Sequence, residues 1–343
     1  MPPVLDADVT RLGLVGDVML GRLVDEYVLA DPGRDPAYVW GNTRALFDAV
    51  DLRLVNLECV IATRGEPWQR TPKVFHFRAR PRALEALRTA GVHFVSLANN
   101  HTLDYGDGAL RECLDLLRGA GIRFAGAGGD IQEAAAPACV TSGDFRCAVI
   151  ALTDNEPAWE AGPDSSGVNY VGHGQGGLAE PYLGRVRDAI ARARERAGFV
   201  IAAAHVGPNW GVPSAEIRAL TRQIIDLGAD LYWGHSNHTV QGIEIYRGKP
   251  ILYSCGDFVD DYAVDPEERN DLSFFFELRV RGDAVERILL HPTRIGDFQV
   301  NLASGEDARW IRDWIAARSA EFGTRVAQEG DGLVVEVAPR DGG

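Results

Sequence analysis

The chain has 343 residues, 46% of them hydrophobic and 24% charged, which is enough for one large domain or two ordinary domains with a sizeable core. Its 35 basic and 49 acidic residues give a formal net charge of −14 without a basic stripe, so nucleic-acid and anionic-membrane partners are disfavoured. Residues 1–8 lack the segments of a signal peptide, and no apolar run approaches the ~20 residues of a membrane span. With five scattered cysteines and no Cys-x-x-Cys pair, the sequence predicts a cytoplasmic protein that acts away from membranes.

Apolar runs and helical periodicities alternate along the chain. Strands are predicted over residues 11–15, 52–55, 92–97, 122–125, 199–204 and 229–233, and β-hairpins over residues 137–152, 241–255 and 272–290. One helix is predicted to begin near Leu23, and others over residues 43–51, 81–89, 110–120, 182–197, 214–227 and 307–322, with residues 31–41 left as a loop. The alternation predicts an α/β layered fold, and the hairpins make its sheets mixed. We expect one domain over residues 1–343, with a core of about 10–265 and a C-terminal β-hairpin and helix, about 266–343, as an appendage.

Several of the predicted strands end in polar side chains that bind metal ions in other proteins. These side chains are Asp17, Glu58, Asn100 with His101, His205, and His235 with His238. Because ligands of open α/β sheets bind outside the carboxyl ends of the strands, we expect these side chains to converge. Without a thiolate, the set suits Mn, Fe, Zn or Mg better than a structural zinc site. A divalent metal and no organic cofactor are therefore predicted, although the glycine that opens residues 234–238 also suits a phosphate site.

Four further residues are candidates for supporting roles. Asp257 is a candidate to orient a histidine of the site, and the alternative is an aspartate that only stabilises a turn. Asp104 is a candidate to support the site from behind the residues that contact the ligand, and the alternative is a loop cap. Trp159 and Trp210 lie in loops near the predicted mouth, where substrate contact and aromatic packing are both reasonable interpretations.

Six stretches together resemble the calcineurin-like metallophosphoesterase superfamily, and more closely its CapA-like (poly-γ-glutamate capsule protein) family. They are residues 16–22, 56–58, 98–106, 205–207, 234–238 and 251–258, in the order of that family. The resemblance implies a four-layer α/β/β/α metallophosphoesterase-like fold with two mixed central sheets. It also implies a site for two ions. Asp17 would bind the first ion, Glu58 would bridge the two ions, and Asn100, His205 and His235 would bind the second ion. His238 would complete the coordination of the first ion, and His101 would act as a general acid or base. The catalytic candidates are therefore Asp17, His101, His205 and His238.

The sequence departs from the phosphoesterase pattern in two places. Met19 stands where a histidine ligand is expected, and a thioether cannot replace an imidazole for a hard ion. Glu58 stands where an aspartate is usual. CapA-like proteins share the Met19 departure. We therefore expect the first ion to be weak or absent, which argues against phosphoester hydrolysis.

Three functional hypotheses follow from the sequence and the resemblance. Capsule-type members resemble membrane-anchored proteins, whereas soluble relatives include enzymes that modify ribosomal peptides, among them an epimerase of lasso-peptide precursors. The favoured hypothesis is therefore a peptide epimerase, which needs a base on one face of a peptide Cα and an acid on the other. The alternatives are a metal-dependent hydrolase or transferase acting on poly-γ-glutamate or a phosphoester, and a non-catalytic binding homologue.

Overall fold

The computed structural model describes residues 9–337, so the signal-peptide prediction for residues 1–8 lies outside the described residues. The strands of the first half are β1 Val9–Val18, β2 Leu52–Leu57, β3 Val60–Ile61, β4 Arg78–Ala79, β5 Phe94–Ser96, β6 Arg123–Ala125, β7 Ala127–Gly128, β8 Ala138–Ser142, β9 Phe145–Thr153, β10 Gly167–Val168, β11 His173–Gly174 and β12 Gly177–Leu178. Those of the second half are β13 Phe199–His205, β14 Leu231–His235, β15 Ile243–Tyr246, β16 Lys249–Leu252, β17 Asp257–Val259, β18 Leu272–Arg281, β19 Ala284–Gly296, β20 Gln299–Leu302, β21 Ala327–Glu329 and β22 Gly332–Glu336.

The α-helices begin and end at local signals in the sequence. They are α1 Arg22–Val24, α2 Arg44–Asp48, α3 Ala83–Thr89, α4 Gly106–Ala120, α5 Ile131–Ala134, α6 Tyr182–Arg194, α7 Ala215–Asp226 and α8 Gly305–Ala320. The Ser214 hydroxyl caps α7 by accepting the Ile217 N–H at 3.2 Å, and Gly121 ends α4 in the left-handed conformation at φ 73°. Among the described helices, none combines the length and the apolar character that crossing a bilayer requires.

Two mixed sheets hold most of the strands. The larger, ten-stranded sheet has the order β21-β22-β19-β18-β1-β2-β5-β6, with β17 beside β1 and β20 beside β19. The six-stranded sheet has the order β15-β16-β14-β13-β9-β8, in which β9, β13, β14 and β16 are parallel and the two edge strands are antiparallel. The parallel strand β13 is buried along its whole length, as expected for a strand covered on both faces.

Three hydrophobic layers order the sheets and helices. Between the sheets, Leu12, Leu54 and Phe94 of the larger sheet pack in one cluster with Val149, Ile201 and Trp233 of the smaller sheet. Outside the larger sheet, Val15, Val55 and Val95 pack with Leu87 of α3 and Leu110 and Leu114 of α4. Outside the smaller sheet, Ile150, Val200 and Tyr232 pack with Val186 and Ile190 of α6 and Leu220 and Ile224 of α7. The predicted four-layer α/β/β/α fold with two mixed sheets is confirmed.

The structure corrects two local predictions. The C-terminal hairpin is not an appendage, because β18 pairs with β1 from Val9↔Arg281 to Leu14↔Phe276 inside the larger sheet. Residues 31–41 are not all loop, because a 3₁₀-helix runs over Pro36–Thr43 from the Asp35 cap. Antiparallel pairing between distant segments leaves no local signal, which is why the first error arose. The single-domain assignment over residues 1–343 stays a prediction.

Replacing Gly234 by Ala is expected to destabilise the fold. A Cβ on Gly234 would lie 2.2 Å from the Tyr253 carbonyl oxygen and 2.6 Å from that of Leu252, so backbone would have to move. Overpacking of this kind costs about 1–3 kcal/mol. Gly119→Ala in α4 is the control, because its Cβ would meet nothing within 4 Å and alanine favours a helix. Urea denaturation measures both variants, and equal midpoints would contradict the close approach at Gly234.

Candidate functional site

Strand ends from both sheets meet at one buried point. Asp17 lies near the end of β1 and Glu58 directly after β2, while His205 ends β13 of the smaller sheet. One carboxylate oxygen of Asp17, one of Glu58 and one ring nitrogen of His205 all lie within 4.8 Å of one another. All three residues are buried. This Asp17–Glu58–His205 group is the one cluster of at least three such side chains that residues 9–337 offer to a metal ion.

Asn56 fixes the geometry of this group from β2. Its side-chain amide donates a hydrogen bond to Asp17 Oδ1 at 2.7 Å and lies 3.3 Å from His205 Nδ1. Asp17 Oδ2 is 3.9 Å from the same nitrogen. Asn99 in turn holds Asn56, donating to its side-chain oxygen at 3.3 Å. Asn56 therefore orients one oxygen of Asp17 and leaves the other for a ligand.

Unpartnered polar atoms surround the group. Within the described part of the chain, Asp17 Oδ2, Asn100 Oδ1 and both ring nitrogens of His235 are buried without a hydrogen-bond partner. Leaving such atoms unpaired costs about 1–3 kcal/mol each, so each of them is a position for a bound water, ion or other ligand. His235 ends β14 opposite His205, with ring centroids 6.5 Å apart. Carboxylate oxygens, an amide oxygen and imidazole nitrogens fit a divalent ion, without identifying the metal.

Burial controls the protonation of these side chains. It raises the pKa of Asp17 to about 7, against the opposing hydrogen bond from Asn56, and raises the pKa of Glu58 well above its ordinary value. Burial also lowers the pKa of His205 well below its ordinary value and that of His235 to about 3. Both imidazoles are therefore neutral, as metal ligation requires.

His101 is held by a carboxylate rather than placed within the group. Its Nδ1 lies 2.6 Å from Asp104 Oδ2, and its Nε2 lies 3.8 Å from Glu58 Oε1. Burial raises the pKa of Asp104 to about 7, against the opposing contacts of the Lys73 ammonium at 3.4 Å and the Phe77 N–H at 2.6 Å. With Nδ1 donating to Asp104, Nε2 is the acceptor nitrogen of His101, and the Asn100 side-chain nitrogen lies 3.2 Å from it. The prediction that Asp104 lies behind the site is confirmed.

His238 forms a second pair of the same kind. Its Nδ1 lies 2.9 Å from Asp257 Oδ1, and its Nε2 lies 3.1 Å from the Asn209 side-chain nitrogen. Asp257 is buried in β17, which runs parallel to β1 with Asp257 opposite Asp17. The orienting role predicted for Asp257 is confirmed. The Asp17–Glu58–His205 group does not include His238, so its role as a ligand of the first ion stays a prediction.

Both histidine–aspartate pairs face one cavity of about 580 Å³. Its lining residues include His101, His238, Asn100, Arg22, Lys73, Phe75, Phe77, Glu156, Asn209, Trp210 and Tyr262. Phe77 stacks on His101 at 3.7 Å, and Tyr262 contacts both Phe77 and His238, at 5.7 and 5.1 Å. Of the two tryptophans with open alternatives, Trp210 lines the cavity, whereas Trp159 is buried beneath the Lys73 ammonium.

Met19 takes no part in the cavity. It is fully buried in the hydrophobic layer outside the larger sheet, and its sulfur accepts the Gly21 N–H at 3.1 Å. The position that supplies a histidine ligand in the phosphoesterase pattern is therefore used here for packing.

A family profile described as "Bacterial capsule synthesis protein PGA_cap" matches residues 11–262. The chain belongs to this family. The matched range contains every side chain of the Asp17–Glu58–His205 group and both histidine–aspartate pairs.

Two relatives show how far the likeness extends. A probable polyglutamine synthesis accessory protein of Mycobacterium tuberculosis is 34% identical, over 97% of each chain. The capsule biosynthesis protein CapA of Bacillus anthracis is 28% identical, over 79% of this chain and 64% of that protein. Among solved structures, the sulfate thiohydrolase SoxB of Thermus thermophilus in complex with glycerol aligns with a TM-score of 0.42 and 13% identity, over 94% of this chain and 62% of that chain.

Sequence reasoning missed several residues of this PGA_cap site. Asn56, Arg22 and Tyr262 lie inside or beside the strand-end motifs, so their position was a usable signal. Lys73 and Asn209 come from loops without periodicity, and no pattern in the sequence places them at the cavity. Loop residues of this kind become visible only when the fold brings the loops together.

Manganese is expected to raise the melting temperature more at about pH 8 than at about pH 5.5. The raised pKa of Asp17, about 7, means that this group stabilises the metal-free fold in acid and that the contribution is lost as pH rises through about 7. The carboxylate that binds a cation is present only above that pH. At about 100 times its Kd, Mn²⁺ would add about 2.7 kcal/mol.

Differential scanning fluorimetry with and without Mn²⁺ at the two pH values makes this measurement. Asp17→Asn is the matched control, because an amide can still accept the Asn56 hydrogen bond but gives no carboxylate. The variant is expected to lose the metal-dependent increase at both pH values. An increase in the unaltered protein that is the same at both pH values would contradict the role given to Asp17.

Proposed function

We propose that this chain is an epimerase that moves a proton at the α-carbon of an amide-linked, peptide-type substrate, most concretely a ribosomal (lasso) peptide precursor. The observation that carries the proposal is the presence of two histidine–aspartate pairs, His101–Asp104 and His238–Asp257, on one cavity. Inversion at a carbon needs one group to remove a proton and a second group to return one. Two oriented imidazoles supply both groups.

Each aspartate keeps its histidine ready for proton transfer. Because Asp104 and Asp257 accept from the Nδ1 side, the Nε2 atoms of His101 and His238 take and give the protons. In one direction, His101 Nε2 removes the Cα proton and His238 Nε2, protonated beforehand from solvent, donates one to the other face. The next turnover in the same direction requires both imidazoles to exchange protons with solvent.

The carbon that loses its proton leaves negative charge on the neighbouring amide oxygen, which the site must stabilise. A divalent ion held by Asp17, Glu58 and His205, with Asn100 and His235, would supply a Lewis acid that polarises this carbonyl. The chain itself orients the site. Tyr262 donates to Glu58 Oε2 at 3.0 Å, and the Phe77 ring covers His101 and limits the access of water to it.

The names of the two relatives speak of polyglutamine synthesis and of capsule biosynthesis, which supports an accessory role in making an amide-linked polymer or capsule. Neither of those two names mentions an epimerase, so the site geometry alone supports epimerisation. A glutamate polymer is also amide-linked, and we include it among the proposed substrates. The proposal places the protein in the cytoplasm, where the five unpaired cysteines would stay reduced.

A metal-dependent hydrolase or transferase is the second candidate. The Asp17–Glu58–His205 group favours it, because such clusters also activate water in hydrolases. In that case one imidazole would assist water and the other would protonate the leaving amine. The same side chains serve both reactions, so the products distinguish them.

Incubation in D₂O with Mn²⁺ is expected to add deuterium at Cα without cleavage. Suitable probes are a short oligomer of γ-linked L-glutamate and a linear peptide. Mass spectrometry should show a gain of one deuterium per inverted residue at unchanged connectivity, and chiral analysis after acid hydrolysis should show the D-amino acid.

Three outcomes decide the matter. Deuterium with inversion supports the epimerase, and shortened oligomers that have gained water support the hydrolase and overturn the epimerase. No change in either probe would count against catalysis on amide-linked chains. His205→Ala serves as the site control and is expected to abolish whichever activity is seen, whereas the exposed Arg70→Gln is expected to retain it.

A further inference from the structure

Arg22 is held in a backbone conformation that few arginines adopt. Its φ is 48°, in the left-handed region, which costs a residue with a Cβ about 1–2 kcal/mol. Asp261 secures this turn, because it accepts the Leu23 N–H at 2.8 Å and pairs with Arg22 Nε at 3.4 Å. Strained residues that persist in this way cluster at functional sites.

Three aromatic rings hold the guanidinium of Arg22 at the cavity. Its Cζ lies 5.5 Å from the Phe75 centroid, 5.5 Å from that of Phe77 and 5.9 Å from that of Tyr262. Arginine packs favourably on aromatic faces, so the side chain is pre-organised. Phe77 also stacks on His101, and Tyr262 also contacts His238. The guanidinium is thus fixed beside both proton-transfer histidines.

The donors of Arg22 differ from those of the other cation at the cavity. Lys73 is buried, and its ammonium contacts the Asn100 carbonyl at 2.6 Å, Glu156 at 3.1 Å and Asp104 at 3.4 Å. Arg22 is about one-third exposed, and within residues 9–337 its two terminal nitrogens make no hydrogen bond. The guanidinium fork therefore still has donors for a ligand, whereas the Lys73 charge is already paired.

We propose that Arg22 binds a carboxylate of the substrate and thereby selects acidic amide-linked chains. The planar fork of arginine matches a carboxylate with two parallel hydrogen bonds, and the surrounding rings hold the fork in place. The carboxylate is either a side-chain or α-carboxylate within the chain or the one at its C-terminus. This inference rests on the proposed function for its reaction but concerns binding alone.

Isothermal titration calorimetry with Mn²⁺-loaded protein tests the inference without turnover. The probe is a short oligomer of γ-linked glutamate, compared with the same oligomer amidated at its internal carboxylates or at its C-terminal carboxylate only. We expect amidation of the recognised carboxylate to weaken binding roughly tenfold to a hundredfold, since hydrogen bonds to charged groups contribute on that scale. If amidation of the internal carboxylates weakens binding, Arg22 recognises a carboxylate within the chain. If amidation of the C-terminal carboxylate weakens binding, Arg22 recognises the end of the chain.

Arg22→Gln is expected to bind the acidic and amidated oligomers equally, and Arg22→Lys to keep part of the preference because it keeps the charge but not the fork. Arg70→Gln is the matched control, because Arg70 is an exposed arginine on the same loop as Lys73 and stacks on Trp68 away from the cavity lining. Melting temperatures of all variants check folding.

The inference is overturned if the unaltered protein fails to bind the acidic oligomer, binds it no better than both amidated forms, or if Arg22→Gln keeps the preference. Failure of the proposed function gives a different result. In that case the acidic oligomer binds with the Arg22-dependent preference but gains no deuterium at Cα.

Discussion

The structure depends on one electrostatic constraint: two carboxylates and two imidazoles are buried together where the strand ends of two sheets meet. Burial drives Asp17 and Glu58 towards their protonated forms and His205 and His235 towards their neutral forms. Asn56 and Tyr262 relieve this cost only in part by donating to Asp17 and Glu58, because atoms of Asp17, Asn100 and His235 stay unpartnered within residues 9–337. A bound cation would relieve it, which ties the stability of the site to metal and to pH.

Strands and loops supply different side chains to this site. The strands supply the metal-binding side chains, whose positions follow from sheet register, as in Asp17 opposite Asn56 and His205 opposite His235. Loops after the strands supply His101 and His238, the groups that we propose move protons, each held by its own aspartate. With Met19 packed in the core, the described chain offers one group of candidate metal ligands and two histidine–aspartate pairs, an arrangement that fits the acid–base chemistry we propose.

The sequence predicted the parts of this site that local pattern specifies. Polar residues at the ends of apolar runs indicated Asp17 and His205 as site residues. The order of the six motifs, through the family resemblance, indicated the four-layer fold. Contacts between distant segments left no such trace. Pairing of β18 with β1, the approach of Lys73 to Asp104 and the contact of Asn209 with His238 depend on how the chain folds back, which neither periodicity nor composition specifies.

Hydrogen exchange by single-histidine variants tests the central claim most directly. His101→Ala and His238→Ala would each be incubated in D₂O with separately prepared L- and D-configured substrate, and deuterium at Cα would be measured by mass spectrometry. Two-sided proton transfer predicts that each variant loses inversion, and that one variant exchanges only the L form while the other exchanges only the D form. If either variant still inverts the substrate, or if both exchange the same form alone, the assignment of the two histidines to opposite faces is wrong.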